Sequence, residues 1–164
     1  MIDFRNANHQ DLNTIVRLEI ETMKELRGRI GDSFPVFDEK RNSETSLISI
    51  IEGECGCAIV ALDEENFQNR HIVGAIIALD SEYASSNEAD RESLVLMNVF
   101  VDEEYRTRGI GSELVSRMER FAVEKKYRDI VTGIVTPNAI ISHMLEKRGY
   151  PITRETRTKS LIRQ

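Results

Sequence analysis

The order of apolar and polar positions along the chain predicts alternating strands and helices. Residues 2–5 alternate between apolar and polar, as in a short strand. A helical repeat of apolar residues then begins near Asp11 and is expected to run to about Leu26, before glycine and proline interrupt it. The apolar set at residues 47–51 predicts a second, shorter helix.

The middle of the chain has the composition of strands. Two runs rich in β-branched residues, 57–62 and 72–79, are separated by a polar loop and predict an antiparallel pair, with a bulge expected at Gly74. Residues 80–92 form a long acidic segment and are expected to be a loop. Residues 94–101 are almost continuously apolar, interrupted at Asn98, which predicts a central strand buried on both faces.

After a turn containing Gly109 and Gly111, apolar residues from 114 to 122 recur at helical spacing and predict an amphipathic helix. Residues 130–135 predict another buried strand, residues 138–148 a helix ended by Gly149, and residues 152–161 one or two closing strands. The expected fold class is therefore α/β with a mixed sheet flanked by helices, in one domain of residues 1–164.

Charge and composition narrow the function. The chain has 28 acidic and 22 basic residues, a formal net charge of -6, which argues against a nucleic-acid partner. Its longest apolar runs fall short of the roughly 18 residues that span a bilayer, so no membrane partner is expected. Because residues 1–8 lack the pattern of a secretory signal, a cytoplasmic location is expected.

Metal and thiol chemistry have little support in the sequence. Cys55 and Cys57 are too close in sequence for an easy disulfide and are expected to be buried thiols in a strand. The three histidines, His9, His71 and His143, are scattered without a metal-binding spacing. No metal cofactor is therefore expected.

The most informative segment is the turn between the central strand and the amphipathic helix. Gly109 and Gly111 have no Cβ, so backbone N–H groups there can approach an anion at the positive end of the helix dipole. Arg106 and Arg108 add positive charge, so the segment predicts a phosphate or pyrophosphate site. It matches neither a Walker A loop nor the glycine pattern of dinucleotide-binding folds.

The pattern that is present is R-x-x-G-x-G, from Arg106 to Gly111. It resembles the signature Q/R-x-x-G-x-G/A of the GNAT superfamily of acetyl-CoA-dependent N-acetyltransferases. The resemblance implies acetyl-CoA as co-substrate, with backbone amides from Arg108 to Ser112 on the pyrophosphate and backbone groups of Val99 and Val101 on the pantetheine arm. The implied acetyl-CoA residues are Val99, Val101, Arg106, Thr107, Arg108, Gly109, Ile110, Gly111, Ser112 and Asn138.

Residues 138–150 resemble a second family segment, a helix that runs from an Asn to a Lys-x-Gly-aromatic end. Asn138, Lys147, Gly149 and Tyr150 fit it, although Asn138 would equally serve as a simple helix cap after Pro137. The chain departs from the family at Leu145, where many members have a tyrosine that protonates the leaving thiolate. The strand acid common in the family is also absent, since Met97 and Asn98 stand there.

The resemblance implies direct attack of an amine on the thioester in a ternary complex, with the Val99 N–H as the oxyanion donor. The amine must lose a proton, and the candidate bases are Glu92 and His143, together with Asp80 and Glu82. None of the four is singled out by the sequence, because His143 is equally a helix-surface residue and the acids equally solvate a loop.

The acceptor and the assembly are open at this level. Acidic loop residues would attract a cationic small-molecule or peptide amine, whereas residues 27–29 would suit an anionic acceptor; the acids are Asp38, Glu39, Glu82, Glu88, Asp90 and Glu92. The basic residues from Lys147 to Arg163 are either a solvated face or a contact with CoA phosphates or a partner. The resemblance makes a homodimer an expected assembly. The alternatives are a CoA-binding regulatory or interaction domain without catalysis, and a nucleotide-binding or nucleic-acid module.

Overall fold

The computed structural model describes residues 1–30, 47–53, 55–65, 71–82, 92–132 and 139–152, and only the backbone of residues 26, 27, 29, 30, 139 and 140. The elements, in chain order, are β1 (Ile2–Asn6), α1 (Leu12–Ile30), β2 (Gly56–Asp63), β3 (His71–Asp80), β4 (Ser93–Val101), α2 (Ile110–Glu124), β5 (Asp129–Thr132) and α3 (Ala139–Lys147). Residues 47–51 are also helical, as the sequence predicts.

The described strands form one mixed sheet in the order β1-β2-β3-β4-β5. The first four pair antiparallel with their neighbours, and β5 pairs parallel to β4, with α2 as the crossover between them. The predicted α/β class and mixed sheet are confirmed. Because β4 lies between β3 and β5, the predicted interior position of this strand is also confirmed.

Apolar side chains cover both faces of the sheet, which gives three layers. Helix α1 and the segment 47–51 pack on one face, through residues that include Ile15, Leu18, Leu47 and Ile50. Helices α2 and α3 pack on the other, through residues that include Leu114, Met118 and Leu145. Each such side chain stabilises the fold by about 1.5–3 kcal/mol when fully buried.

A β-bulge at Met97 changes which face of the sheet the rest of β4 presents. Ile77 pairs with Asn98 but the next residue, Ala78, pairs with Leu96, so Met97 is an extra residue on β4. Side chains alternate between faces along a strand, and one inserted residue reverses that alternation. Leu96 before the bulge and Val99 after it therefore contact the α2 face, and Asn98 falls on the α1 face with Phe100.

The bulge also corrects one expectation from the sequence. Leu94, Val95 and Leu96 are buried as predicted, but Met97 is 46% exposed and Asn98 is half-buried. The continuous apolar run indicated a strand covered on both faces throughout, whereas the described pairing with β5 ends at Leu96. In the part of the chain that the structure describes, β5 therefore pairs only with the first half of β4, up to Leu96.

Helix α1 is longer than the sequence predicted. It continues through Gly28 to Ile30 instead of ending near Leu26. A single glycine inside a helix costs only about 1 kcal/mol, which does not by itself end the helix.

The end of α3 is where the sequence placed it. Gly149 has φ +85°, its N–H donates to Glu146 O, and the Tyr150 N–H donates to Leu145 O, which together terminate the helix. The predictions for residues 31–46, 83–91, 133–138 and 153–161 lie outside the described residues. No helix in the described ranges is long and apolar enough to cross a membrane.

Candidate functional site

The turn between β4 and α2 presents backbone N–H groups at the start of a helix. A short 3-10 turn, Glu103–Tyr105, leads from β4 to Gly109, which is the N-cap of α2. Thr107 and Gly109 both have positive φ, 64° and 82°, so the chain turns sharply twice before Ile110. The first N–H groups of a helix have no partner within it, and Gly109 has no side chain to accept from them.

The space in front of this turn is open. A Cβ built on Gly109 would meet no heavy atom within 4 Å. One built on Gly111 would make only ordinary contacts, at 3.6 Å with Val101 Cγ2 and 4.0 Å with Met144 Sδ. An anion can therefore approach the N–H groups of Ile110, Gly111 and Ser112, which fits the pyrophosphate of a CoA molecule.

The neighbouring edge of β4 presents further backbone groups. The Asp102 N–H donates to Val73 O on β3, and in an antiparallel pair alternate residues direct their N–H and C=O groups to the same side. Phe100 and Asn98 therefore pair with β3, whereas Val99 and Val101 direct theirs toward β5. The described β4–β5 pairs stop at Leu96, two residues before Asn98, so Val99 and Val101 lie beyond the last of them.

Arg106, the first residue of the glycine motif, is engaged with the protein itself. Its Nε donates to Val101 O at 3.0 Å, and its two terminal nitrogens donate to the carboxylate of Glu25 on α1 at 3.2 and 2.9 Å. The side chain thus connects the turn to the end of β4 and to α1. The positive charge of Arg106 is therefore paired with the Glu25 carboxylate.

Tyr105 and Asp102 attach the turn to the sheet. The Tyr105 hydroxyl donates a hydrogen bond to Asp63 Oδ2 at 2.7 Å. This contact lowers the pKa of Asp63 and raises the pKa of Tyr105. Asp102 lies 3.4 Å from His71 Nε2. Arg108 lies above the Tyr105 ring, with its guanidinium carbon 5.0 Å from the ring centroid, so its charge stays at the exposed tip of the turn.

A polar cluster joins α3 to the first turns of α2. Arg148 forms an ion pair with Glu119 and donates to Ser112 Oγ at 3.1 Å and Ser116 Oγ at 2.8 Å. Tyr150 donates to Glu119 at 3.1 Å, and burial raises the pKa of this phenol. Of the basic residues predicted near the carboxyl end, Arg148 is therefore a structural link, Lys147 is exposed, and the others lie outside the described residues.

The glycine turn at the start of α2 and the strand β4 before it fall within the match to a known family. The family model described as "Acetyltransferase (GNAT) family" matches residues 21–150. The chain belongs to this family. It is an N-acetyltransferase, and the resemblance seen in the R-x-x-G-x-G motif is confirmed.

Solved structures share the fold of this GNAT acetyltransferase. A mutant of the BH1408 protein from Bacillus halodurans is 17% identical, with a TM-score of 0.78, over 98% of this chain and 99% of that one. AAC(6')-Iy, in complex with a bisubstrate analogue, CoA-S-monomethyl-acetylneamine, is 17% identical, with a TM-score of 0.66, over 98% and 97%. A GNAT-family acetyltransferase from Staphylococcus aureus Mu50 is 15% identical, with a TM-score of 0.71, over 91% and 84%.

The residues proposed from sequence as bases do not meet at this edge. Asp80, Glu82 and Glu92 lie where β3 ends and β4 begins, whereas the glycine turn follows the other end of β4. Glu92 is exposed and lies six positions before Asn98 along the strand, a span of about 20 Å. Asp80 accepts from the Tyr127 hydroxyl at 3.3 Å. The acetyltransferase therefore does not bring these acids to the edge beside Val99.

On α3, His143 is exposed and Leu145 is 2% exposed in the core under the sheet. The side chain at the family's tyrosine position thus packs as a hydrophobe, while His143 points to solvent. Asn138, the side chains of Arg27 and Arg29, and the acids Asp38, Glu39, Glu88 and Asp90 lie outside what the structure describes.

One contact at the β4 bulge was not predicted from the sequence. Asn98 Nδ2 donates to Glu19 Oε1 on α1 at 2.6 Å. Next to this pair is a cavity of about 240 Å³ between α1 and the end of β4, lined by Leu18 and Phe100 and by four carboxylates and one guanidinium: Glu21, Glu25, Asp102, Glu103 and Arg106. Pattern alone does not find either feature, because 79 residues separate Asn98 from Glu19.

Proposed function

We propose that this N-acetyltransferase moves an acetyl group from acetyl-CoA to the primary amine of a small molecule or peptide, by direct attack in a ternary complex. One observation carries the proposal. The N–H and C=O groups of Val99 and Val101 face the same edge as the uncapped amides that begin α2. A pantetheine arm extended along β4 and a pyrophosphate on the glycine turn would use both sets of groups together.

When bound, acetyl-CoA supplies an activated thioester. The protein's own contribution is to orient it through Val99 and Val101, with the Val99 N–H available to the oxygen that gains charge during attack. Ile110, Gly111 and Ser112 would hold the phosphates through backbone amides, and Arg106 keeps the turn in place through Val101 O and Glu25.

Direct attack is supported by the burial of both thiols. Cys55 and Cys57 are the two cysteines of the chain, and both are buried and form no disulfide. Burial raises the pKa of Cys57 to about 12, so its thiolate, the reactive form, is scarce at neutral pH. A cysteine-linked acyl-enzyme is therefore disfavoured, and the amine itself is the nucleophile.

The absence of a tyrosine at Leu145 is compatible with this chemistry. A thiol has a pKa near 8.5, so the departing sulfur of CoA is a fair leaving group at neutral pH without a strong acid beside it. Leu145 packs in the core and supplies no proton.

A cationic acceptor is favoured by the cavity beside α1. Four carboxylates and one guanidinium line it, and Arg106 is already paired with Glu25. The excess negative charge attracts an ammonium group and raises its local concentration. The solved relative AAC(6')-Iy is named as an aminoglycoside N-acetyltransferase, which fits an acceptor of this class.

The test is thiol release from acetyl-CoA over a panel of amines, combined with calorimetry of CoA binding. The panel contains spermidine, kanamycin, a tripeptide with a free amino terminus, and the anionic amine glutamate. We expect CoA to bind and at least one cationic amine to be acetylated faster than glutamate. Binding without turnover over the whole panel would favour the regulatory domain instead, and trapping of an acyl-enzyme would rule out direct attack.

A further inference from the structure

We propose that Glu19 on α1 is the residue that takes the proton from the acceptor amine, and that Asn98 on β4 positions its carboxylate. The inference rests on the proposed function and adds the base that the strand itself lacks. Its starting point is the 2.6 Å hydrogen bond from Asn98 Nδ2 to Glu19 Oε1. Both side chains are half-buried, so this carboxylate is held in one place and not free in solvent.

The β-bulge explains why Asn98 meets α1. If β4 ran through Met97 as a regular strand, its alternation would turn Asn98 toward α2 and α3. Because of the bulge, Asn98 falls on the α1 face, immediately before Val99, whose backbone groups are directed away from β3. Consecutive Cα atoms are about 3.8 Å apart, so the Glu19 carboxylate is held by the residue next to the one whose amide is assigned to the oxyanion.

Residues close to the pair in sequence line the cavity proposed for a cationic acceptor. Leu18, which precedes Glu19, and Phe100, which shares a strand face with Asn98, both line the acidic cavity. The charged groups of that cavity come from α1 (Glu21 and Glu25) and from the residues after β4 (Asp102, Glu103 and Arg106). An ammonium group drawn in by these carboxylates would lie between α1 and the end of β4, the two elements that carry Glu19 and Asn98.

The chemistry requires a base at this place, because an ammonium has no lone pair with which to attack. The ionised carboxylate accepts one proton from the ammonium and leaves a neutral amine. The nitrogen then bonds to the acyl carbon, the carbon–sulfur bond breaks, and the second proton lost by nitrogen goes to the departing sulfur. Glu19 returns its proton to solvent. The hydrogen bond from Asn98 fixes the position of the carboxylate that accepts this proton.

Other described candidates lack this placement. Glu92 and Asp80 lie at the opposite end of β4, and His143 is exposed on α3. Glu25, which also lines the cavity, is bound to Arg106 in a bidentate ion pair. Glu19 is the carboxylate hydrogen-bonded to the residue that occupies the family's strand-acid position.

The experiment compares wild type with Glu19→Gln, Glu19→Asp, Asn98→Ala and the control Glu124→Gln, which changes an exposed carboxylate at the end of α2. The probe is the panel amine that wild type acetylates fastest. We expect Glu19→Gln to lower kcat at pH 7 about 100-fold, with the KM for acetyl-CoA changed less than twofold. Its activity should keep rising with pH as the amine deprotonates unaided, whereas wild type reaches a plateau.

Asn98→Ala keeps the Glu19 carboxylate but removes the hydrogen bond that holds it, so we expect about a tenfold lower kcat. Glu19→Asp should retain part of the activity, and Glu124→Gln should retain all of it.

A second readout uses protein without ligand. The side-chain amide resonance of Asn98, identified by its loss in Asn98→Ala, should shift as Glu19 titrates and should not do so in Glu19→Gln. This NMR measurement tests the contact even if a variant is poorly active.

The outcomes separate the two proposals. If wild type acetylates an amine and Glu19→Gln matches it in kcat and pH profile, the role of Glu19 is overturned and the proposed function stands. An Asn98 resonance indifferent to the Glu19 substitution would likewise overturn it. If wild type binds CoA but acetylates nothing, the proposed function fails, and the role of Glu19 fails with it.

Discussion

Arg106 and Glu25, 81 residues apart in sequence, form a bidentate ion pair that fixes the glycine turn to α1. The same guanidinium also donates to Val101 O. One side chain therefore sets the position of the turn relative to both β4 and α1. Arg106, the first residue of the R-x-x-G-x-G motif, therefore has a structural role in addition to supplying positive charge.

The Arg106–Glu25 pair should behave as one unit in a double-mutant cycle. We expect Arg106→Gln and Glu25→Gln to reduce the free energy of unfolding by less in combination than the sum of their separate effects. The coupling should be about 0.5–1 kcal/mol, since both side chains are more than a third exposed and solvent screens them. Urea unfolding of the four proteins measures it, and strictly additive effects would show that the pair is not coupled.

Arg106→Lys keeps the positive charge but cannot form the bidentate ion pair with Glu25. We expect its KM for acetyl-CoA to rise several-fold, because the turn is then held less firmly beside β4. Arg120→Lys, an exposed site on α2, is the matched control and should leave KM unchanged.

Gly109 is required for its backbone conformation. Its φ of 82° costs an alanine about 1–2 kcal/mol, although an added Cβ would meet nothing within 4 Å. We expect Gly109→Ala to be less stable by that amount in urea unfolding and to bind CoA more weakly in calorimetry. Gly109→Asn should lose less stability, since asparagine tolerates this region better. Equal stability of wild type and Gly109→Ala would contradict the conformation described.

Arg148 should stabilise the protein through the cluster that joins α3 to α2. Removal by Arg148→Ala leaves Glu119 without its ion pair, so we expect the free energy of unfolding to fall by about 2 kcal/mol. Lys147→Ala, an exposed neighbour on the same helix, is the control and should change it by less than about 0.5 kcal/mol. Similar losses in the two variants would show that the Arg148 contacts contribute nothing measurable.

Asp11 should make stability depend on acid pH. It is 6% exposed, and burial alone would raise its pKa, but hydrogen bonds from Arg5 and the Asn8 N–H outweigh burial and lower it. A carboxyl group with a lower pKa in the folded state contributes stability above its unfolded pKa, near 3.9, and loses it as pH falls through the folded value.

We therefore expect Asp11→Asn to be less stable than wild type by about 1.5–3 kcal/mol at pH 7. The difference should shrink as the pH falls below about 4, because wild type then also carries an uncharged side chain. Urea unfolding at pH 7, 5 and 3 checks the trend. A difference that stays constant over this range would contradict the assignment.

The sequence was most informative where a feature is local. Helical and strand periodicity, the stop at Gly149, and the glycine turn before α2 all depend on residues within a few positions of one another, and their local conformation follows from side-chain volume and backbone freedom. The motif from Arg106 to Gly111 was sufficient to identify the family. The acidic loop was a weaker guide, since the acids considered there as bases, Asp80, Glu82 and Glu92, lie at the far end of β4 from the glycine turn.

Only the tertiary structure determined the contacts between residues that are distant in the chain. The bulge at Met97 arises from pairing with β3, and it alone determines that Asn98 faces α1. The partnerships of Glu19 with Asn98 and of Glu25 with Arg106 follow from how α1 lies across that face. A sequence pattern records the period of each element but not the register between elements, because register depends on the packing of whole side chains in three dimensions.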